Sequence, residues 1–162
     1  MRQPEGDLTV RAYAAGDVPR LTEIFREAVA AIGPEDYGEA QVTAWLRRVP
    51  SADALAARLG DGRRVWLLAD QAGYAFAFVD LEADGHIDLL YASPVIARTG
   101  AVAGLVGHLM AAARETGMVR LYVEASEAAR RFFLKQGFTV VQRRDFEIDG
   151  VAIHNYAMEK AL

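Results

Sequence analysis

A carboxylate in the middle of an apolar run is the first feature of this chain with chemical content: Asp88 sits within Ile87-Asp88-Leu89-Leu90. An unpaired carboxylate buried in a sheet is expensive. Asp88 is therefore read as a proton acceptor, with a strand-end aspartate that hydrogen-bonds a neighbouring loop as the alternative. Glu124, near the end of Leu121 to Ala125, is the reserve acceptor. His154 and Tyr156 alternate on the last apolar run and so face the same way; His154 is read as a substrate-side residue and Tyr156 as a catalytic one, and either can assist proton transfer. Tyr37, Gln41 and Trp45 offer an aromatic and polar wall for a substrate, although Trp45 at helical spacing with Leu46 and Val49 equally suits a core. A different chemistry lies between Pro94 and Ala103, where Ala97-Arg98-Thr99-Gly100-Ala101-Val102 leads into a helical pattern. Successive amides at a helix N-terminus form a nest that cradles a pyrophosphate, and glycine lets the backbone come close.

Composition removes several other chemistries. No cysteine is present, so disulfides, thiolate metal sites and a cysteine nucleophile are excluded. Three histidines without ligand-like spacing suggest no metal site; His86 and His108 read as structural or solvated. A net charge of −4 argues against a nucleic-acid partner, which wants a basic face, and is compatible with a cationic substrate. No apolar stretch approaches the roughly 18 residues of a membrane span, and the N-terminus lacks the apolar run of a secretion signal, so a cytoplasmic protein without a membrane partner is expected.

The elements that must hold these residues alternate along the chain. Leu8 to Tyr13 reads as a strand, and Asp17 as the cap of a helix carrying Leu21, Ile24, Phe25, Ala28, Val29 and Ile32 on one face. Helical patterns follow over 38–49 and 52–59, the latter capped by Ser51. Val65 to Ala69, Tyr74 to Val79 and His86 to Tyr91 read as three strands of an antiparallel meander separated by glycine-containing turns. A helix over 100–115, a strand over 121–125, a helix from Ser126 to Gln136 and strands at 138–141 and 151–158 complete the order. With 162 residues and no linker, a single domain spanning 1–162 is expected. The alternation predicts an α/β fold with a mixed, mostly antiparallel central sheet of about seven strands and helices on both faces.

This order, together with Leu90-Tyr91-Ala92-Ser93-Pro94, Gly100 and the block from Ala125 to Phe138, resembles the GNAT N-acetyltransferase superfamily over the whole chain. The resemblance implies acetyl-CoA as co-substrate, its pyrophosphate on the amides of Arg98, Thr99, Gly100, Ala101, Val102 and Ala103. It implies two strands that splay apart and leave the main-chain N–H groups of Tyr91 and Ala92, beside Leu90, free for the pantetheine and the thioester carbonyl. Ser126 would bond the pantetheine arm, Phe133 would pack beside the thioester, and Lys135 or Arg130 would reach the phosphates. The reaction implied is direct attack of a primary amine, small-molecule or peptide, on the thioester, with Asp88 as base through a water; a homodimer is compatible with it.

Two departures bear on catalysis. Ala97 and Val102 replace the usual glutamine or arginine and the small residue of the loop, without removing its amides. Phe133 stands where many members carry the tyrosine that protonates the departing thiolate. A thiol of pKa about 8.5 costs only roughly 2 kcal/mol to expel unassisted near pH 7, whereas a lysine-like amine of pKa about 10.4 costs roughly 4.6 kcal/mol to deprotonate. The base therefore matters more than the acid. The same departures motivate the rival readings of a non-catalytic acyl-CoA-binding module or a partner-binding domain.

Overall fold

The computed structural model describes residues 1–162. Strands β1 (Thr9–Ala12), β2 (Arg64–Ala69), β3 (Ala75–Leu81) and β5 (Leu90–Ala92) form an antiparallel sheet in the order β1-β2-β3-β5. Strands β4 (His86–Ile87), β6 (Arg120–Ala125), β7 (Thr139–Ile148) and β8 (Val151–Ala161) form a second, ordered β4-β6-β8-β7, whose one parallel pairing is β4 with β6. The mixed, mostly antiparallel character matches the reading from sequence. The strand count rises to eight because the run from His86 to Tyr91 is two strands in two sheets.

Helices cover both faces because alternate strand residues are apolar on both sides. On one face, Leu21, Ile24, Phe25 and Val29 of α1 (Val18–Ile32) join Leu55 and Leu59 of α3 (Ala52–Leu59) over Leu67 and Phe78; the short α2 (Glu39–Leu46) adds Val42. On the other, Leu105, Val106 and Leu109 of α4 (Ala101–Glu115) and Phe133 of α5 (Glu127–Lys135) pack on Trp66, Phe76 and Val123. Each such side chain contributes about 1.5–3 kcal/mol of burial, which outweighs local propensity.

Two local expectations are corrected. Asp17 does not cap α1: its Oδ2 accepts from Ala14 N (2.8 Å) and its carboxylate receives Arg11 on both oxygens (2.9 and 2.8 Å), closing the preceding turn instead. The strand expected over 138–141 runs on to Ile148, and every residue but the last is exposed. Exposed along their length, Gln142 to Asp145 need no apolar alternation, so periodicity cannot reveal the strand.

Gly85 makes the turn from β3 into β4. It holds φ +91°, and a Cβ there would overlap the carbonyl oxygen of Arg120 on the neighbouring strand. Tyr122 N donates to Gly85 O at 3.1 Å, so the two backbones touch where the parallel pairing begins. Gly85→Ala is expected to lower unfolding free energy by at least about 2 kcal/mol in a urea titration, combining left-handed strain with the clash; an unchanged midpoint would show that the turn relaxes freely.

Candidate active site

The site begins at a break in the sheet. β4 pairs with β6 only over His86↔Tyr122 and Ile87↔Val123, after which the chain crosses to β3 as β5. The cause is Asp80, a fully buried carboxylate on β3. Its Oδ1 accepts the amides of Asp88 (2.9 Å) and Leu89 (2.7 Å), which therefore need no strand partner. Asp80 N donates to Leu89 O (3.1 Å) and Ser93 N to Phe76 O (2.7 Å). By antiparallel alternation the amide of Tyr91 is then turned toward β3, while those of Leu90 and Ala92 face the gap beside β6. The expected free donors are thus corrected from Tyr91 and Ala92 to Leu90 and Ala92.

The gap opens into a cleft of about 160 Å³ whose lining includes Asp88, Glu124, Ser126, Phe133 and His154, with Tyr37 and Trp45 on one wall. Asp88 faces it but is not a free base. Its Oδ2 accepts from Arg63 Nη1 (2.7 Å) and Arg58 Nε (2.8 Å), and Arg63 also holds Asp80 at 2.7 Å. Burial works against ionisation, yet the two guanidiniums hold Asp88 below the usual carboxylate range. That is the wrong direction for deprotonating an amine. Burial pushes the Asp80 carboxyl up despite its amide and Arg63 contacts.

On the other lip, Glu124 Oε2 lies 2.5 Å from His86 Nε2, and His86 Nδ1 lies 2.8 Å from Glu82 Oε1. Burial opposes a charge on His86, but the flanking Glu124 and Glu82 outweigh it and raise its pKa above 6.5. His86, read from sequence as structural or solvated, is instead joined to the carboxylate on the cleft. Glu82, His86 and Asp88 bring three ligand-type atoms within 4.8 Å of one another, a cluster the sequence spacing did not reveal, although Arg58 and Arg63 engage the aspartate.

The loop before α4 places Gly100 at φ +84° with open space on its Cα, a geometry that suits close approach of a ligand. Ala101 N donates to Thr99 Oγ1 (3.3 Å), while the amides of Gly100, Val102 and Ala103 have no partner within the protein. Arg98 is at φ +62° and its guanidinium, largely exposed, pairs with Glu35 at 2.7 Å.

On α5, Ser126 Oγ caps Ala129 N at 3.3 Å, and Phe133 is fully buried. Arg130 pairs with Glu127 (3.2 Å) and lies over the Tyr156 ring at 4.8 Å, so it is committed locally; Lys135 is exposed at the far end of the helix. Glu127 also receives His154 Nε2 and the Tyr156 hydroxyl, both at 2.7 Å. Burial would raise its pKa, but these donors hold it at about 2. Tyr156, whose hydroxyl is spent on Glu127, does not line the cleft, which corrects its reading as a catalytic group. Gln41 is corrected likewise: its side chain closes the start of α2 on Gly38 N (2.8 Å) and ties it to Ala152 O (3.0 Å).

Comparison with known proteins gives concordant results. Residues 34–160 match the family described as "Acetyltransferase (GNAT) domain". The chain is 28% identical over 154 residues to the uncharacterized N-acetyltransferase YafP of Escherichia coli K12, covering 94% of this chain and 95% of that protein. It superposes on a GCN5-related N-acetyltransferase from Rhodopseudomonas palustris with a TM-score of 0.86 at 30% identity, covering 100% of this chain and 98% of the other. A phosphinothricin acetyltransferase from Sinorhizobium meliloti, solved in complex with AcCoA, shares the fold with a TM-score of 0.74 at 21% identity over 96% of this chain and 88% of the other. No helix is long and apolar enough to cross a membrane.

Proposed function

Because the chain belongs to the GNAT family of N-acetyltransferases, we propose that it moves the acetyl group of acetyl-CoA to a primary amine by direct attack, with Glu124 as the proton acceptor. The observation that carries this reading is that the outward amides of Leu90 and Ala92 and the carboxylate of Glu124 stand on opposite lips of one splay. The amine nitrogen forms a bond to the thioester carbon, the carbon–sulfur bond breaks, and the pair of electrons leaves on sulfur. Amides aimed at the carbonyl oxygen stabilise the charge that develops there. The amine proton passes to Glu124 and on to His86, whose pKa the two flanking carboxylates raise.

The diphosphate of the co-substrate is assigned to the unpartnered amides at the start of α4, with Val102 presenting its amide despite its branched side chain. Tyr37 and Trp45, whose rings meet edge to face at 5.7 Å, form the aromatic side of the acceptor pocket. Calorimetric titration of acetyl-CoA is expected to give saturable heat with one site. Thiol release should then appear with at least one amine among lysine, spermidine, benzylamine and a free peptide N-terminus. Binding without thiol release would move the protein to a non-catalytic acyl-CoA module, and absence of heat would remove the co-substrate altogether.

A further inference from the structure

Acetyl transfer leaves a thiolate, and Phe133 has no atom that could protonate it. His154 is on the wall of the same cleft as Phe133, Ser126 and Ala129. Its Nε2 bonds Glu127 Oε1 at 2.7 Å, and its Nδ1 makes no hydrogen bond within the protein. The backbone beneath it is fixed by Tyr37, whose hydroxyl donates to His154 O and accepts from Glu127 N, both at 3.0 Å. Tyr37 and Tyr156 flank the imidazole with ring centroids at 5.5 and 5.6 Å. A carboxylate on one ring nitrogen fixes the orientation of the ring, leaving the other nitrogen to act. Glu127 serves this purpose over the whole working range, since, against its burial, the donors His154, Tyr156 and Arg130 together keep it ionised.

Resting on the acetyl-transfer reading above, we infer that His154 is the general acid: its Nδ1–H protonates the CoA sulfur as the carbon–sulfur bond breaks, and Glu127 is the positioning residue that holds the ring. The electron pair of the broken bond takes that proton, giving the free thiol. The neutral imidazole keeps its Nε2–H on Glu127 and regains the Nδ1 proton from solvent before the next turnover. The proton taken from the amine leaves separately through Glu124, so amine and acetyl-CoA give amide and thiol in balance.

The test varies the leaving group. Wild type and His154→Gln are compared with acetyl-CoA and with an acetyl ester of an acidic aryl thiol, using the fastest amine of the panel above. A thiol about 1.5 pKa units above neutrality sets the expected defect with acetyl-CoA at about 30-fold in kcat, with KM for acetyl-CoA unchanged. The aryl thiolate needs no proton, so with that donor the two proteins should agree within about twofold. Glu127→Gln should show the same donor-dependent pattern in weaker form. Equal slowing with both donors, or an undiminished rate with acetyl-CoA, overturns the acid and leaves acetyl transfer standing. No turnover by the wild type with either donor overturns the acetyl-transfer reading itself, and the inference with it.

Discussion

Glu124→Gln is expected to lower kcat about 10²- to 10³-fold while acetyl-CoA affinity stays within about threefold, because a positioned base contributes to the transition state and not to holding the co-substrate. The amine must shed a proton it would keep at neutral pH, and on the acceptor side of the cleft Asp88 is held on Oδ2 by Arg58 and Arg63. Glu124 is coupled to His86, which is flanked by Glu82 on its other nitrogen and stacks on Tyr122, itself bonded to Asp84. The working form has His86 neutral and Glu124 ionised. At saturating acceptor, kcat should therefore climb as pH rises through the raised pKa of His86, above 6.5, and then level. In His86→Gln that climbing limb should disappear, with a lower plateau. The same shift stabilises the fold fully below the ordinary value of 6.5, and that contribution fades as pH rises through the folded pKa. Asp88→Asn, in contrast, should cost stability and change kcat less than about tenfold. A Glu124→Gln enzyme running at the wild-type rate, beside a dead Asp88→Asn, would return the base to Asp88.

What sequence could and could not show follows from the range of the interactions. The helices are local objects: Ser51 and Ser126 cap the turns they precede, accepting from Ala54 N and Ala129 N, and the apolar faces of α1 and α4 repeat at helical spacing. Gly100 and the run into Pro94 were likewise legible, since a left-handed glycine before a helix is written in one residue. The site is another matter. His86 meets Glu124 across 38 positions, His154 meets Glu127 across 27, and Arg63 meets Asp88 across 25. No periodicity encodes such pairs. Asp88 stood out because its neighbours are apolar, but the same apolarity conceals the two arginines that answer its charge. One signal was available: Asp80 is also a carboxylate in an apolar run, from Ala75 to Leu81, and two carboxylates in apolar surroundings eight residues apart call for a cation between them.

That cation gives the second large effect. Arg63 is 7% exposed and binds Asp80, which is 0% exposed, so Arg63→Ala leaves a fully buried carboxylate without its counter-charge. Breaking a buried pair in this way costs about 3–5 kcal/mol, which for a domain of this size corresponds to a fall of roughly 6–20 °C in Tm. Asp80 already has a raised pKa, and loss of Arg63 raises it further. A carboxyl with a folded pKa above its unfolded value penalises folding once pH exceeds the unfolded value, so the deficit of Arg63→Ala should shrink as pH falls from 7 toward 5. Adding Asp80→Asn to Arg63→Ala removes the buried charge but keeps a carbonyl oxygen for the amides of Asp88 and Leu89. The double variant should recover more than half of the lost stability and still bind acetyl-CoA. Asp80→Leu supplies no acceptor, strands both amides and lets the strand break close. If urea titrations show Asp80→Leu as stable as Asp80→Asn, and acetyl-CoA binds both alike, the break that makes the cleft must be held by something other than this carboxylate.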